Sequence, residues 1–268
     1  MDLASLVGMI VALALVVFSI MADDGVSAMK GFLDWKSALI TFGGAFMTIM
    51  MMRPSIGEYV AKLKSMSLIF KVQVTNELET IQTVIKLSNV ARKDGLLQLE
   101  EMANSMDDAF MKKGLLLIVD GTDPELVRSI LETELMSIEE RHKDTIGFWE
   151  NLASAGPAWG MIGTLIGLIN MLGKLEDMST VGPNMAIALV TTLYGSMLAN
   201  WICTPVANKL KANNSAEMRQ KEILVEGLLS IQAGENPRVI EEKLKSFLTP
   251  NMREELSNNS NEGGEEVG

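Results

Sequence analysis

Thr164, Thr191 and Thr192 are hydroxyls set in two stretches, 151–173 and 178–208, that contain no charged residue. Uncharged stretches of roughly 20 residues or more are long enough to cross a bilayer. Polar oxygens at that depth are tolerated mainly at protein contacts or wet cavities. Hydroxyls and freed carbonyls are hard ligands for a small cation, or links in a water chain. Neither kind of oxygen takes up a proton near neutral pH. If ions move along these stretches, the titrating group must come from another chain. Pro157 removes one backbone donor and so frees a carbonyl one turn earlier. Pro205 lies near the end of the second stretch. Around these oxygens lie small residues: Gly156/Gly160 and Gly163/Gly167 in the first stretch, and Ala188, Thr192, Gly195 and Ala199 in the second. Such spacings let helix backbones approach closely. The residues alone leave two uses open, a tight helix contact with self-bonded hydroxyls or the wall of an ion path.

A second group lies in a polar region. Arg92-Lys93-Asp94 is followed, after Gly95, by Glu100-Glu101. Mixed charges of this kind form either a solvated face or a docking surface whose signs select a partner. The remaining chemistry is sparse. The single cysteine, Cys203, sits in an apolar stretch and offers no disulfide framework, and the single histidine, His142, has no companion for a metal. No phosphate loop, nucleophile elbow or zinc-helix pattern is present, so an enzyme reading has no support. No resident cofactor is expected. A net charge of −11 disfavours nucleic acid.

These groups must be positioned by helices. The chain is 48% hydrophobic with 20 Met, and its mean hydropathy is +0.22, more apolar than a soluble domain of 268 residues. The pattern is all-α: a polytopic membrane protein with four transmembrane helices and a helical cytoplasmic domain. Spans are expected at 3–21, at 37–52 between Trp35-Lys36 and Arg53-Pro54, and in the two stretches above. The start lacks a basic n-region and a small-residue cleavage site, so it reads as a retained span rather than a signal peptide. Residues 53–147 hold 12 Lys and Arg and the tail from Lys209 holds 8, whereas the opposite loops hold three. Basic residues favour the cytoplasmic side, which places both termini and the insert there. The divisions read 1–52, 53–147, 148–208 and 209–268.

Within the insert, Leu63, Met66, Ile69, Phe70 and Val74 recur at helical spacing. Helices are also expected over 77–89, 96–106 and 105–120. A further one opens at Asp123-Pro124 and can run unbroken into the third span. In the tail, helices are expected near 215–233 and 239–247, and 257–268 is expected to be disordered.

The run 156–168, the run 185–195, Pro205, and Ala91-Arg92-Lys93-Asp94-Gly95 with Leu99-Glu100-Glu101 together resemble the MotA/PomA family of flagellar motor stator proteins, relatives of ExbB and TolQ. The resemblance covers nearly the whole chain. It implies a ring of five copies around two MotB-type chains in the bacterial inner membrane. Each partner's single span supplies an aspartate, and ion flow past it turns the rotor protein FliG. By this resemblance Pro157, Thr164, Thr191, Thr192 and Pro205 belong to the ion path, and Arg92, Lys93, Glu100 and Glu101 to the rotor contact. Asp94 departs from the family pattern. Thr191 adds a hydroxyl where proton-driven relatives often have none, so sodium is expected as the transported ion, with the proton as alternative. An ExbB/TolQ-like transducer would have three spans. A passive scaffold would leave the Thr191-Thr192 pair without a use.

Overall fold

A computed structural model describes residues 2–71 and 76–262 of the chain. The described residues form helices and turns and no strand. In order they are α1 (Leu3–Asp24), α2 (Trp35–Met51), α3 (Ile56–Phe70), α4 (Glu77–Asp94), α5 (Gln98–Asn104), α6 (Ala109–Val119), α7 (Pro124–Leu172), α8 (Met178–Gln232), α9 (Pro237–Lys245) and α10 (Pro250–Glu262). A one-turn helix, Met29–Phe32, precedes α2. Local chemistry sets many of the starts. Asp2, Asp34, Asn76, Asp108, Asp123 and Asn236 each turn a side-chain oxygen onto the free N–H groups of the helix that follows. Gly25, Gly95, Gly121 and Gly234 adopt positive φ at turns where a Cβ would be strained.

Three helical segments are long and apolar enough to cross a membrane: Leu3–Ala22, and parts of α7 and α8. The fourth candidate, α2, spans about 25 Å at 1.5 Å per residue, at the short end for a bilayer core. After Met51 the chain bends by 119° into α3. Four spans are consistent with these lengths.

The chain forms two compact units. The first comprises Met1–Gln73 and His142–Ala212. Its core joins Ala45 and Ile49 of α2, Tyr59 and Ile69 of α3, Phe148, Trp149 and Leu152 of α7, and Leu198, Cys203 and Val206 of α8. Residues 56–70 therefore pack with the spans rather than with the rest of the insert. Asp144 receives Arg53 and Lys62 at 2.6 Å each. The Arg53 guanidinium also lies 5.5 Å from the centre of the Phe148 ring. The Trp149 indole N–H donates to Ser65 Oγ at 2.9 Å. The first helix is held more lightly: Asp2 pairs with Lys209, and the Trp201 indole donates to Met9 O at 3.0 Å.

The second unit comprises Val74–Arg141 and Asn213–Gly268. Ile81, Val84, Leu87, Leu99, Leu115, Ile118, Leu131, Ile223, Leu224, Leu228, Ile240 and Leu244 form its core. Glu226 of α8 ties Arg128 of α7 and Lys243 of α9, both at 3.1 Å.

Several expectations need correction. The helix through Leu63 becomes 3-10 at Ser65–Phe70, and Val74 lies outside the described residues. The expected break between the fourth span and the tail is absent, because α8 runs on through Pro205. Its ladder widens to a π turn over Leu198–Cys203, where the Thr204 N–H reaches Ala199 O. That wider turn accommodates the N–H that Pro205 lacks. The 257–268 segment is helical as far as Glu262, with Leu256 buried just before it. Residues 263–268 lie outside the described residues.

Candidate ion path and contact face

The charge-free parts of α7 and α8 meet through their glycines. A Cβ built on Gly156 would lie 2.9 Å from Gly195 O, and one on Gly160 2.9 Å from Thr191 O. On Gly163 it would reach Thr191 Cγ2 at 2.5 Å, and on Gly167 Ala188 N at 2.8 Å. Both glycine pairs thus face one neighbour, and the small-residue stripe of α8 is that neighbour. Ala188, Gly195 and Ala199 are buried there. Backbones this close leave no room for a side chain at the glycine positions.

The seam brings hydroxyls together. Thr164 Oγ1 and Thr192 Oγ1 lie 2.5 Å apart. Thr164 Oγ1 is also 2.9 Å from Ala188 O and 3.1 Å from Gly160 O. Thr192 Oγ1 lies 3.4 Å from Ala188 O, and Thr191 Oγ1 reaches the same carbonyl at 2.9 Å. Three hydroxyls therefore converge on one carbonyl oxygen. Each hydroxyl has a single proton to give, so the group holds more acceptor capacity than donors. That surplus suits a cation or a proton-bearing partner.

The two adjacent threonines part company. Thr192 is exposed and continues a face with Met185 and Leu189, whereas Thr191 is fully buried and back-bonded to Ile187 O at 3.0 Å. Pro157 is exposed and, at helical spacing, shares the face of Met161 and Thr164. It leaves Ala153 O without its usual ladder donor. Pro157, Thr164 and Thr192 thus form one open face, flanked by the exposed side chains of Met161, Leu165 and Leu189. Pro205 is separate. It lines a cavity of about 310 Å³ beside α1, with Ala4, Gly8 and Trp201. It lies 13 residues beyond Thr192, roughly 20 Å along the helix.

Of the charged group, Arg92 and Lys93 end α4, and Glu100 and Glu101 open α5. All four are exposed. Arg92 and Lys93 line an open recess of about 560 Å³ with Asn89, Asn236, Pro237 and Arg238. Among the described residues, no carboxylate lines it. Glu100 and Glu101 stay outside, and Glu101 accepts from Gln98 Nε2 at 3.1 Å. Arg238 was not marked by the sequence. Asn236-Pro237 signals a helix start, but no sequence feature reports that this start lies beside Arg92.

Residues 102–223 match the MotA/TolQ/ExbB proton channel family. The chain is 41% identical to Motility protein A of Treponema pallidum (strain Nichols) over 256 residues, 96% of this chain and 97% of that protein. It is 36% identical to the chemotaxis protein PomA of Vibrio alginolyticus over 253 residues, covering 94% and 98%. The structure of the flagellar MotAB stator complex from Bacillus subtilis superposes with a TM-score of 0.85 at 30% identity, covering 95% of this chain and 99% of that one. The chain therefore belongs to the MotA/TolQ/ExbB family, alongside the motility proteins A that it matches over nearly its whole length.

Proposed function

We propose that this chain is the multi-span subunit of a flagellar motor stator, which joins a MotB-type partner to convert ion flow into torque. The observation that carries the reading is the open face of Pro157, Thr164 and Thr192 on the charge-free parts of α7 and α8. It supplies oxygens and close packing but no titrating group. A partner span bearing an aspartate, laid along this face, completes the path. Five copies around two partner chains would present this face inward, in the inner membrane, with both termini in the cytoplasm.

Sodium is the favoured ion. It must exchange hydration for several fixed oxygens, and Thr164, Thr192 and the Ala188 carbonyl are already gathered for that. Thr191 supports the group from behind, since its own hydroxyl is buried and bonded. The polar surface of Arg92 and Lys93, with Glu100 and Glu101 on the next helix, is the part offered to the rotor protein FliG. Charge signs on such a surface set partner choice and association rate.

The test is a chromosomal deletion complemented with the intact gene or with Thr192→Ala. Swimming speed is measured against external sodium at constant proton-motive force. The expected result is loss of swimming with flagella still present, and a higher sodium requirement in Thr192→Ala. Normal swimming after deletion, in a strain with no second stator, removes the stator reading. Unchanged swimming in sodium-free potassium medium removes sodium and leaves the proton.

A further inference from the structure

We propose that Thr41 of α2 is a positioning residue of the ion path: it fixes the rotation of α8 so that Thr192, and not Thr191, stands opposite Thr164. This rests on the ion-path reading above and adds a residue to it from a helix outside the path.

Thr41 is fully buried, and so is Thr191. Threonine in a helix usually turns its hydroxyl back to its own carbonyl three or four residues earlier. Thr164 and Thr191 both do so. Thr41 does not. It lies in the π turn Leu39–Gly43, where the backbone ladder is widened, and its hydroxyl donates across to Thr191 O at 3.3 Å. The hydroxyl of Ser37, one turn earlier, lies 3.4 Å from Ile187 O but gives its proton to Asp34 at 2.6 Å. Thr41 is therefore the free donor of that pair. The next residue, Phe42, stacks on Tyr194 with ring centres 5.6 Å apart. On α7, Gly163 admits the methyl group of Thr191.

Thr191 is thus held from two sides, by a donor on α2 and by a glycine notch on α7. Successive helix residues point about 100° apart. Holding Thr191 in the notch turns Thr192 onto the open face beside Thr164. Releasing the hold lets α8 roll, and the oxygens of Thr164, Thr192 and Ala188 lose their register. The π turn has a purpose in this account, since it frees the hydroxyl of Thr41 from its own helix.

The test is a double-mutant cycle of Thr41→Val and Thr192→Ala in the intact stator with its partner, with Thr41→Ser as the conservative control. Membrane level and co-purification of the partner are measured for each variant. Speed is recorded against external sodium. Thr41→Val is expected to raise the half-saturating sodium concentration about threefold to tenfold, the size of one net hydrogen bond. Thr41→Ser is expected to restore it. In the Thr192→Ala background the same change should have little further effect. Equal effects in both backgrounds, or a fall only in maximal speed or membrane level, would show that Thr41 merely packs and would overturn the proposal while leaving the ion path standing. Unchanged function in Thr192→Ala alone would overturn the ion path and this inference with it. If the motor ignores sodium, the same cycle read against proton-motive force decides the matter in the same way.

Discussion

Replacing Gly195 by alanine adds one methyl group at the closest approach to backbone in the α7–α8 seam. Its Cβ would stand 2.5 Å from Gly156 O, 3.0 Å from Gly156 C and 3.1 Å from Pro157 Cα. All three atoms are backbone, so no side chain can swing away. An ordinary contact there is 3.4–4 Å, so the helices must part by roughly 0.9–1.5 Å. Overpacking of this kind costs about 1–3 kcal/mol. Alanine returns up to about 1 kcal/mol through its better helix propensity. The net loss of stability is therefore small, about 0–2 kcal/mol. The functional loss should be larger. Thr164 and Thr192 sit across the same seam, and a misplacement near 1 Å at a reacting centre can cost about a hundredfold in rate. Single-stator torque in a bead assay, normalised to membrane level by immunoblot, should fall at least about tenfold by this reasoning. Gly147→Ala is the control, because a Cβ there meets nothing within 4 Å. It should leave torque unchanged. Normal torque in Gly195→Ala at normal membrane level would refute the idea that close backbone approach sets the path.

Three further outcomes are expected. Arg92→Glu should reduce motility with insertion and partner binding intact, and a compensating charge reversal on the rotor should restore part of it; full motility in Arg92→Glu combined with Glu100→Lys would reduce these charges to a solvated face. With Cys203 replaced, cysteines at Ser27 and Ser179 should react with an impermeant thiol reagent in intact cells, and those at Ser105 and Ser215 should not; labelling at Ser105 would reverse the orientation. Lys62 first, and then Arg53, hold the Asp144 carboxyl below its usual range. A lowered folded value means the contribution is full above the unfolded value of about 4 and is lost as pH falls below it. Asp144→Asn should therefore lower the melting temperature of the purified complex at pH 7, and by progressively less as the pH is taken down through and below the carboxylate range; a shift of constant size at every pH would assign its effect to packing.

The sequence by itself determined the helical class, because apolar period and cap chemistry are local. Asp123-Pro124 opens α7, and the helix runs through Gly147, the one interruption before the third span. The charge-free stretches and their glycine spacings also marked which two helices would meet closely, since only small residues allow it. The tertiary structure decided what spacing cannot. Thr191 and Thr192 are neighbours in sequence, yet one is buried and the other open, and the choice depends on how α8 is turned by α2 and α7. Thr41 left no local trace, because its hydroxyl bonds to a residue 150 positions away. Pro205 lay near the end of the charge-free stretch, and the π turn over Leu198–Cys203 carries the helix through it. Arg238 joined Arg92 and Lys93 for the same reason that Glu100 and Glu101 did not: a recess is made by elements brought together in space, and charge order along the chain does not record which ones meet.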